Sequence, residues 1–209
     1  MKSPSQRSPR KPKGQGGERR EEILAAALKL FGEFGVYGVS TRQIAEAAGI
    51  SQPTLYAYFA TKGDIAGELH GRAFDLLTQQ MQRQSEPSMD TADGFADSLR
   101  PYVDFGLTHP DAYRIAFMLE GSIEWKESRK DLTLPAHTCY GILENRIIDL
   151  HARGVTVDID PETLSQNIWA GMHGLVSLLI ARPGFPWSEQ EHLIESHLQM
   201  LARGVLRAA

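Results

Sequence analysis

Cysteine is nearly missing from this chain. Cys139 stands alone among 209 residues, which excludes an internal disulfide and the four-cysteine zinc frameworks. Long apolar runs are missing too. Mean hydropathy is -0.30, the longest apolar candidate lies around Leu175 and Ala181, and nothing approaches the roughly 18 residues that a membrane span needs. Residues 1–22 are polar and basic, without the apolar centre of a secretory signal, so the expected location is the cytoplasm. No phosphate-cradling glycine loop, no Gly-x-Ser-x-Gly elbow and no metal-ligand cluster occurs. Cys139 and His137 are two residues apart in a helical pattern, so they point in different directions and form no nucleophile–base pair. His192 and His197, five apart, share no helical face and form no metal pair. Enzyme chemistry is not expected, and neither is a cofactor.

What is present is an ordinary apolar content of 42%, enough for a sizeable core, and a net charge of -4 that hides a strong asymmetry. Residues 1–20 hold seven bases (Lys2, Arg7, Arg10, Lys11, Lys13, Arg19, Arg20) against one acid, Glu18. The other residues hold 15 bases against 25 acids. Two readings of the basic end stand: an arm that meets a polyanion, or a tail whose charge aids solubility.

Residues 1–17 are rich in Ser, Pro, Gly and basic residues and read as a disordered arm. From Glu18 the pattern turns helical, with Leu24, Leu28, Phe31 and Phe34 at helix spacing and Ile23 and Ala27 widening the stripe. Gly32, Gly35 and Gly38 mark the end of that helix. Ser40 and Gln43 form a capping box for a short second helix, which Gly49 stops. Ser51 caps a third, with Pro53 in its first turn. Thr61 to Asp64 opens a longer helix along Ile65, Leu69, Ala73, Leu77 and Met81. Helical segments follow at about 91–108, kinked at Pro101 or starting later, then at 110–119, 132–152, 161–181 and 188–207. The strand-like alternation at 155–159 reads as a loop. The expected class is all-α with about nine helices: a helix-turn-helix domain at 18–65 and a helical domain at 66–209.

Residues 41–60 carry the strongest signal. A helix-turn-helix needs a small residue where its helices cross, glycine in its turn, and apolar residues facing inward. Counting Thr41 as first, Ala45 is fifth, Gly49 ninth and Leu55 fifteenth, with Ile44, Ala48 and Ile50 completing the inward set. Such a unit leaves the outer face of its second helix free to enter a DNA groove. Its own charge is slightly negative: residues 21–65 set Lys29, Arg42 and Lys62 against five acids. The arm, with Arg19 and Arg20, is the candidate source of the missing attraction to phosphates.

Residues 19–65 resemble the N-terminal domain of TetR-type transcriptional regulators. The resemblance rests on Arg20 to Ala27, on Leu30, Phe31 and Gly35, on the run from Thr41 to Ser51, and on Thr54 to Phe59 followed by Lys62. It implies a homodimer that sets two recognition helices into successive major grooves of a double-stranded operator, with a C-terminal helical domain that senses a ligand. Chemistry and resemblance converge on particular residues. Thr41 offers its hydroxyl and backbone N–H to a phosphate. Gln52 and Thr54 sit near the start of the recognition helix, where Gln can pair with adenine. Ser51 caps that helix. Pro53 either presets its first turn or touches a thymine methyl. Tyr56 and Tyr58 donate to phosphates by similarity, although an aromatic at helix spacing also suits a core. Lys62 brings a phosphate-seeking charge, and Arg42 reaches backbone or bases. Gly63 departs from the bulkier residue expected after that lysine.

The acidic half, 66–209, has 12 bases against 20 acids and is not expected on DNA. The segments from His109 to Met118 and from Trp169 to Leu178 resemble the C-terminal domain type named for its Trp-His-Gly residues, here Trp169, His173 and Gly174. Gly171, Gly174 and Ser177 form a small-residue stripe on which a second helix can lie close. The resemblance places the last two helices in the dimer interface, with His173 as an interface or buried hydrogen-bonder and Leu193, Leu201 and Val205 as the apolar face of the last one. It also implies a pocket for a small apolar or aromatic effector. Its candidate lining is Tyr102, Phe105, Tyr113, Phe117, Met118, Trp125, Tyr140 and Trp169, each of which also suits a plain core. The expected function is a ligand-released repressor associated with the nucleoid, with no membrane partner.

Overall fold

The computed structural model describes residues 16–83, 89–118 and 129–207, with side chains described at 17–83, 89–118 and 138–207. Among them nine α-helices run in chain order: α1 (Gly16–Gly38), α2 (Thr41–Ala47), α3 (Gln52–Tyr56), α4 (Lys62–Arg83), α5 (Ala92–Thr108), α6 (Pro110–Tyr113), α7 (Arg129–Ala152), α8 (Pro161–Ala181) and α9 (Gln190–Val205). A π-helical turn, Arg114–Met118, follows α6 where the periodicity suggests one helix over 110–119. No strand occurs among the described residues. The alternation at 155–159 is a loop carrying one antiparallel bridge, Thr156 to Leu206. The chain is all-α.

The chain divides into two compact units, Met1–Ala73 with Asp111–Leu132, and Phe74–Pro110 with Thr133–Ala209. The boundary expected between residues 65 and 66 lies within α4, whose buried apolar residues run from Ile65 to Met81.

The core of the first unit gathers Ile23, Leu24, Ala27 and Phe31 from α1, Ile44 and Ala45 from α2, Leu55 from α3, Ile65, Ala66 and Leu69 from α4, and Ile115. Each of the larger side chains contributes about 1.5–3 kcal/mol by leaving water. Of the three glycines read as a helix end, Gly38 is the last residue of α1 and Gly35 interrupts it, while Gly32 has another role. Only Gly35 breaks α1, with φ 70 and ψ 162, a conformation open to glycine alone. Phe34, on the expected inward stripe, is 54% exposed beside that break. Gly32 lies within the helix and leaves room for a neighbour: a Cβ there would sit 2.6 Å from Asp111 Oδ1.

In the second unit, α5 packs on α8 and α9. Phe95, Leu99, Tyr102, Val103 and Phe105 are buried along α5, as are Ile168, Met172 and Val176 of α8 and Ile194, Leu198 and Ala202 of α9. Pro101 is accommodated inside α5, which starts at Ala92 with Thr91 as its cap. α9 ends at Val205 rather than Arg207, because Arg207 N turns to donate to Val155 O at 2.9 Å.

Candidate functional site

Two caps and one turn shape the exposed end of the first unit. Ser40 Oγ accepts from Gln43 N while Gln43 Oε1 accepts from Ser40 N, fixing the start of α2. Gly49 turns the chain with φ 66, in the left-handed region. Ser51 Oγ then accepts from Thr54 N at 3.3 Å and starts α3, with Pro53 at a position whose missing N–H has no helical partner to lose. The back of both helices is closed by Ile44, Ala45 and Leu55, none more than 3% exposed. Their polar side chains therefore come together on the opposite side.

There Gln52 Nε2 donates to Thr41 Oγ1 at 3.0 Å, and the Tyr56 hydroxyl lies 3.3 Å from the same oxygen. Ser51 Oγ and Thr54 Oγ1 are 2.7 Å apart. Arg42, Ser51, Gln52, Pro53 and Tyr56 are exposed, with Thr41 and Thr54 half-buried among them. The patch is dense in hydroxyl and amide groups, which can exchange these mutual bonds for bonds to phosphates and base edges.

The remaining candidates are placed differently. Tyr58 is half-buried against the core of the unit. The Lys62 ammonium donates to Val36 O at 2.7 Å and Val39 O at 2.8 Å, so two of its three protons are taken by the turn that ends α1. Arg19 and Arg20, suggested as sources of attraction to phosphates, are paired within the chain. Arg19 is only 7% exposed and pairs with Glu22. Arg20 pairs with Glu68, and its guanidinium lies 4.6 Å from the centre of the Phe59 ring. Arg72 completes this α1–α4 network by gripping Glu21 with two bonds, which lowers the Glu21 pKa. Lys2, Arg7, Arg10, Lys11 and Lys13 of the arm lie outside the described residues.

In the second unit the Trp-His-Gly residues join a hydrogen-bonded run. Trp169 Nε1 donates to the Tyr102 hydroxyl at 3.2 Å, that hydroxyl lies 3.4 Å from His173 Nδ1, and His173 Nε2 lies 3.2 Å from Ser177 Oγ. Tyr140 meets Trp169 edge-on at 5.9 Å. Its hydroxyl is shielded near Ser165, with no well-formed hydrogen bond among the described residues. Four of the pocket candidates, Tyr102, Phe105, Tyr140 and Trp169, thus belong to this unit, the first two of them buried. Tyr113 and Phe117 belong to the first unit, their rings 4.9 Å apart. Met118, also there, is 38% exposed. Trp125 lies outside the described residues.

Within one chain the residues expected at the dimer face have different surroundings. A Cβ on Gly171 would lie 2.8 Å from Leu201 Cδ2, so these two residues bring α8 and α9 of one chain together. Val205 is buried within the chain. Gly174 has open space around it, His173 and Ser177 are half-buried on the same side of α8, and Leu193 is half-buried on α9. Residue-type reasoning missed two large apolar residues, Leu178 and Met200, which are 51% and 61% exposed. The available signal was their helical spacing, which sets Met200 opposite the buried stripe of α9 and Leu178 to one side of the stripe of α8.

Among the described residues no helix is long and apolar enough to cross a membrane. Residues 23–69 match the family described as bacterial regulatory proteins, tetR family, and residues 95–201 match the family described as tetracyclin repressor-like, C-terminal domain. The transcriptional regulator HbdR of Aromatoleum sp. (strain CIB) is 41% identical over 69 residues, covering 33% of this chain and 30% of HbdR. The transcriptional activator FasR of Mycolicibacterium smegmatis is 27% identical over 100 residues, covering 48% of this chain and 46% of FasR. The chain thus aligns with less than half the length of either relative. NalD, the secondary repressor of the MexAB-OprM multidrug efflux pump in Pseudomonas aeruginosa, shares the fold with a TM-score of 0.72 at 23% identity, over 94% of this chain and 100% of NalD.

Proposed function

Because the chain belongs to the TetR family of bacterial regulatory proteins, we propose that this transcriptional regulator is a one-component repressor: a homodimer holds a near-palindromic operator and releases it when a small apolar or aromatic molecule binds. The observation that carries the DNA half of this reading is the exposed patch in which Gln52 and Tyr56 of α3 converge on Thr41 of α2. In this reading Gln52 and Thr54 address base edges, Thr41 and Tyr56 hold phosphates, and Arg42, Ser51, Pro53 and Tyr58 border the contact. The dimer half is supported by the apolar and small surface of one chain, Gly174 and Leu178 on α8 and Met200 on α9, flanked by His173, Ser177 and Leu193. The effector half rests on the aromatic set Tyr102, Phe105, Tyr140 and Trp169, with the shielded Tyr140 hydroxyl as its polar anchor. Release requires that the effector bind better to the state whose recognition helices are mis-spaced, by its differential affinity for the two states.

Selection of bound genomic fragments by the full-length protein tests this directly, and an inverted repeat is the expected product. The Gln52→Ala, Tyr56→Ala double variant is expected to melt like the wild type and to bind the selected fragment on the order of a hundredfold more weakly. Wild-type affinity in that variant removes α3 from the contact. A reporter driven from the recovered promoter separates repression from activation.

A further inference from the structure

Lysine is an unfavourable choice for the first residue of a helix, because the N-terminus carries the positive end of the helix dipole. Lys62 occupies that position in α4. A tertiary partner must offset the local cost, and the partner is visible. After the break at Gly35, the last carbonyls of α1 have no helical N–H to accept from. Lys62 Nζ donates to two carbonyls of this segment, Val36 O at 2.7 Å and Val39 O at 2.8 Å. The ammonium thereby caps the negative end of one helix from the start of another.

The consequence reaches the proposed DNA contact through one peptide. Val39 immediately precedes Ser40, the N-cap of α2. Holding Val39 O sets where the capping box begins and so where Thr41 stands. Thr41 is the residue on which Gln52 and Tyr56 converge. We propose that Lys62 is a positioning residue for the DNA-reading face, clamping the α1–α2 turn through two backbone carbonyls, and that it is not one of the groups that neutralises a phosphate. This rests on the DNA-binding reading given above.

The two roles differ in their salt dependence. A lysine that neutralises a phosphate releases a counterion, so its loss flattens the slope of log affinity against log salt by about 0.9. A lysine that positions other groups weakens binding by the same factor at every salt concentration. The probe is the genomic duplex selected by the wild type, titrated with the full-length protein and its Lys62→Met variant from low to moderate salt. The expected result is a loss on the order of tenfold in affinity, with the slope unchanged. A slope flattened by about 0.9 overturns the proposal, and so does undiminished affinity. Hydrogen exchange of the free protein provides the second measurement. Amides from Val36 to Gln43 should exchange faster in the variant while those of α5 keep their rates; unchanged exchange in the turn, or acceleration throughout, counts against the clamp. If the wild type selects no duplex, the regulator reading fails, and the exchange comparison still decides the clamp.

Discussion

His173 shows how much one side chain can be made to depend on its neighbours. An indole N–H can only donate, so the Tyr102 oxygen accepts from Trp169, and the same hydroxyl lies 3.4 Å from His173 Nδ1. Ser177 Oγ, a hydroxyl that can donate or accept, stands 3.2 Å from His173 Nε2. Burial holds the His173 pKa below 6.5, because the charged imidazolium is the form that loses its hydration. The folded state therefore favours the neutral form, whereas the unfolded chain takes up a proton near pH 6.5. Stability should be level above that pH and fall as pH drops through it. His70, lowered by burial as well, acts in the same direction. Melting temperatures at pH 7.5 and 5.5 should differ in the wild type, and the gap should narrow in His173→Gln while the His70 share persists. An unchanged gap places the titration elsewhere.

At the scale of elements, the turn between α2 and α3 is the most exacting. Its Gly49 has φ 66, where a Cβ meets the following carbonyl at a cost of about 1–2 kcal/mol. Gly49→Ala should lower stability by roughly that amount and weaken duplex binding through misplacement of α3. A variant that loses stability and keeps full affinity would show that α3 tolerates a shifted turn. The caps of α2, α3 and α4 are legible in the sequence because a cap is local. Ser40, Ser51 and Thr61 each bond to a residue three positions on. The face of α9 is less legible. Leu193, Leu201 and Val205 are all apolar, but α5 packs closely on α9 and selects Ile194, Leu198, Ala202 and Val205 for the core.

For the whole molecule the governing quantity is charge. Residues 21–65 carry three bases against five acids, and Arg19 and Arg20 are held in internal ion pairs. Under the proposed function, the arm is the remaining source of long-range attraction to DNA. Removing residues 1–17 is expected to lower affinity for the selected fragment and to flatten its salt dependence by about 0.9 for each phosphate that the arm no longer neutralises. Equal affinity and slope would make the arm a solubility aid. Assembly gives a second prediction at this scale. Leu178→Glu with Met200→Glu places charge on the exposed apolar residues of α8 and α9. Sedimentation should then report a single chain with native helix content, and duplex affinity should collapse with it. A dimer that persists moves the interface off this surface.

The sequence by itself determined whatever depends on neighbours within a turn or two: the order of the helices, their caps, the glycine turn, the small crossing residue Ala45 and the inward set around Leu55. These follow from 3.6-residue periodicity and from hydrogen bonds that close over three or four positions. Only the tertiary structure decided which partner each long polar side chain takes. Lys62 reaches carbonyls 26 and 23 residues away, and Arg20 reaches a carboxylate 48 residues away. It likewise decided that Gly171 meets Leu201 of its own chain while Leu178 and Met200 stay exposed. Residue type states what a flexible side chain can bond to. Packing of distant segments selects among those partners, because a buried or half-buried charge settles on whichever oppositely polarised group the fold brings within reach.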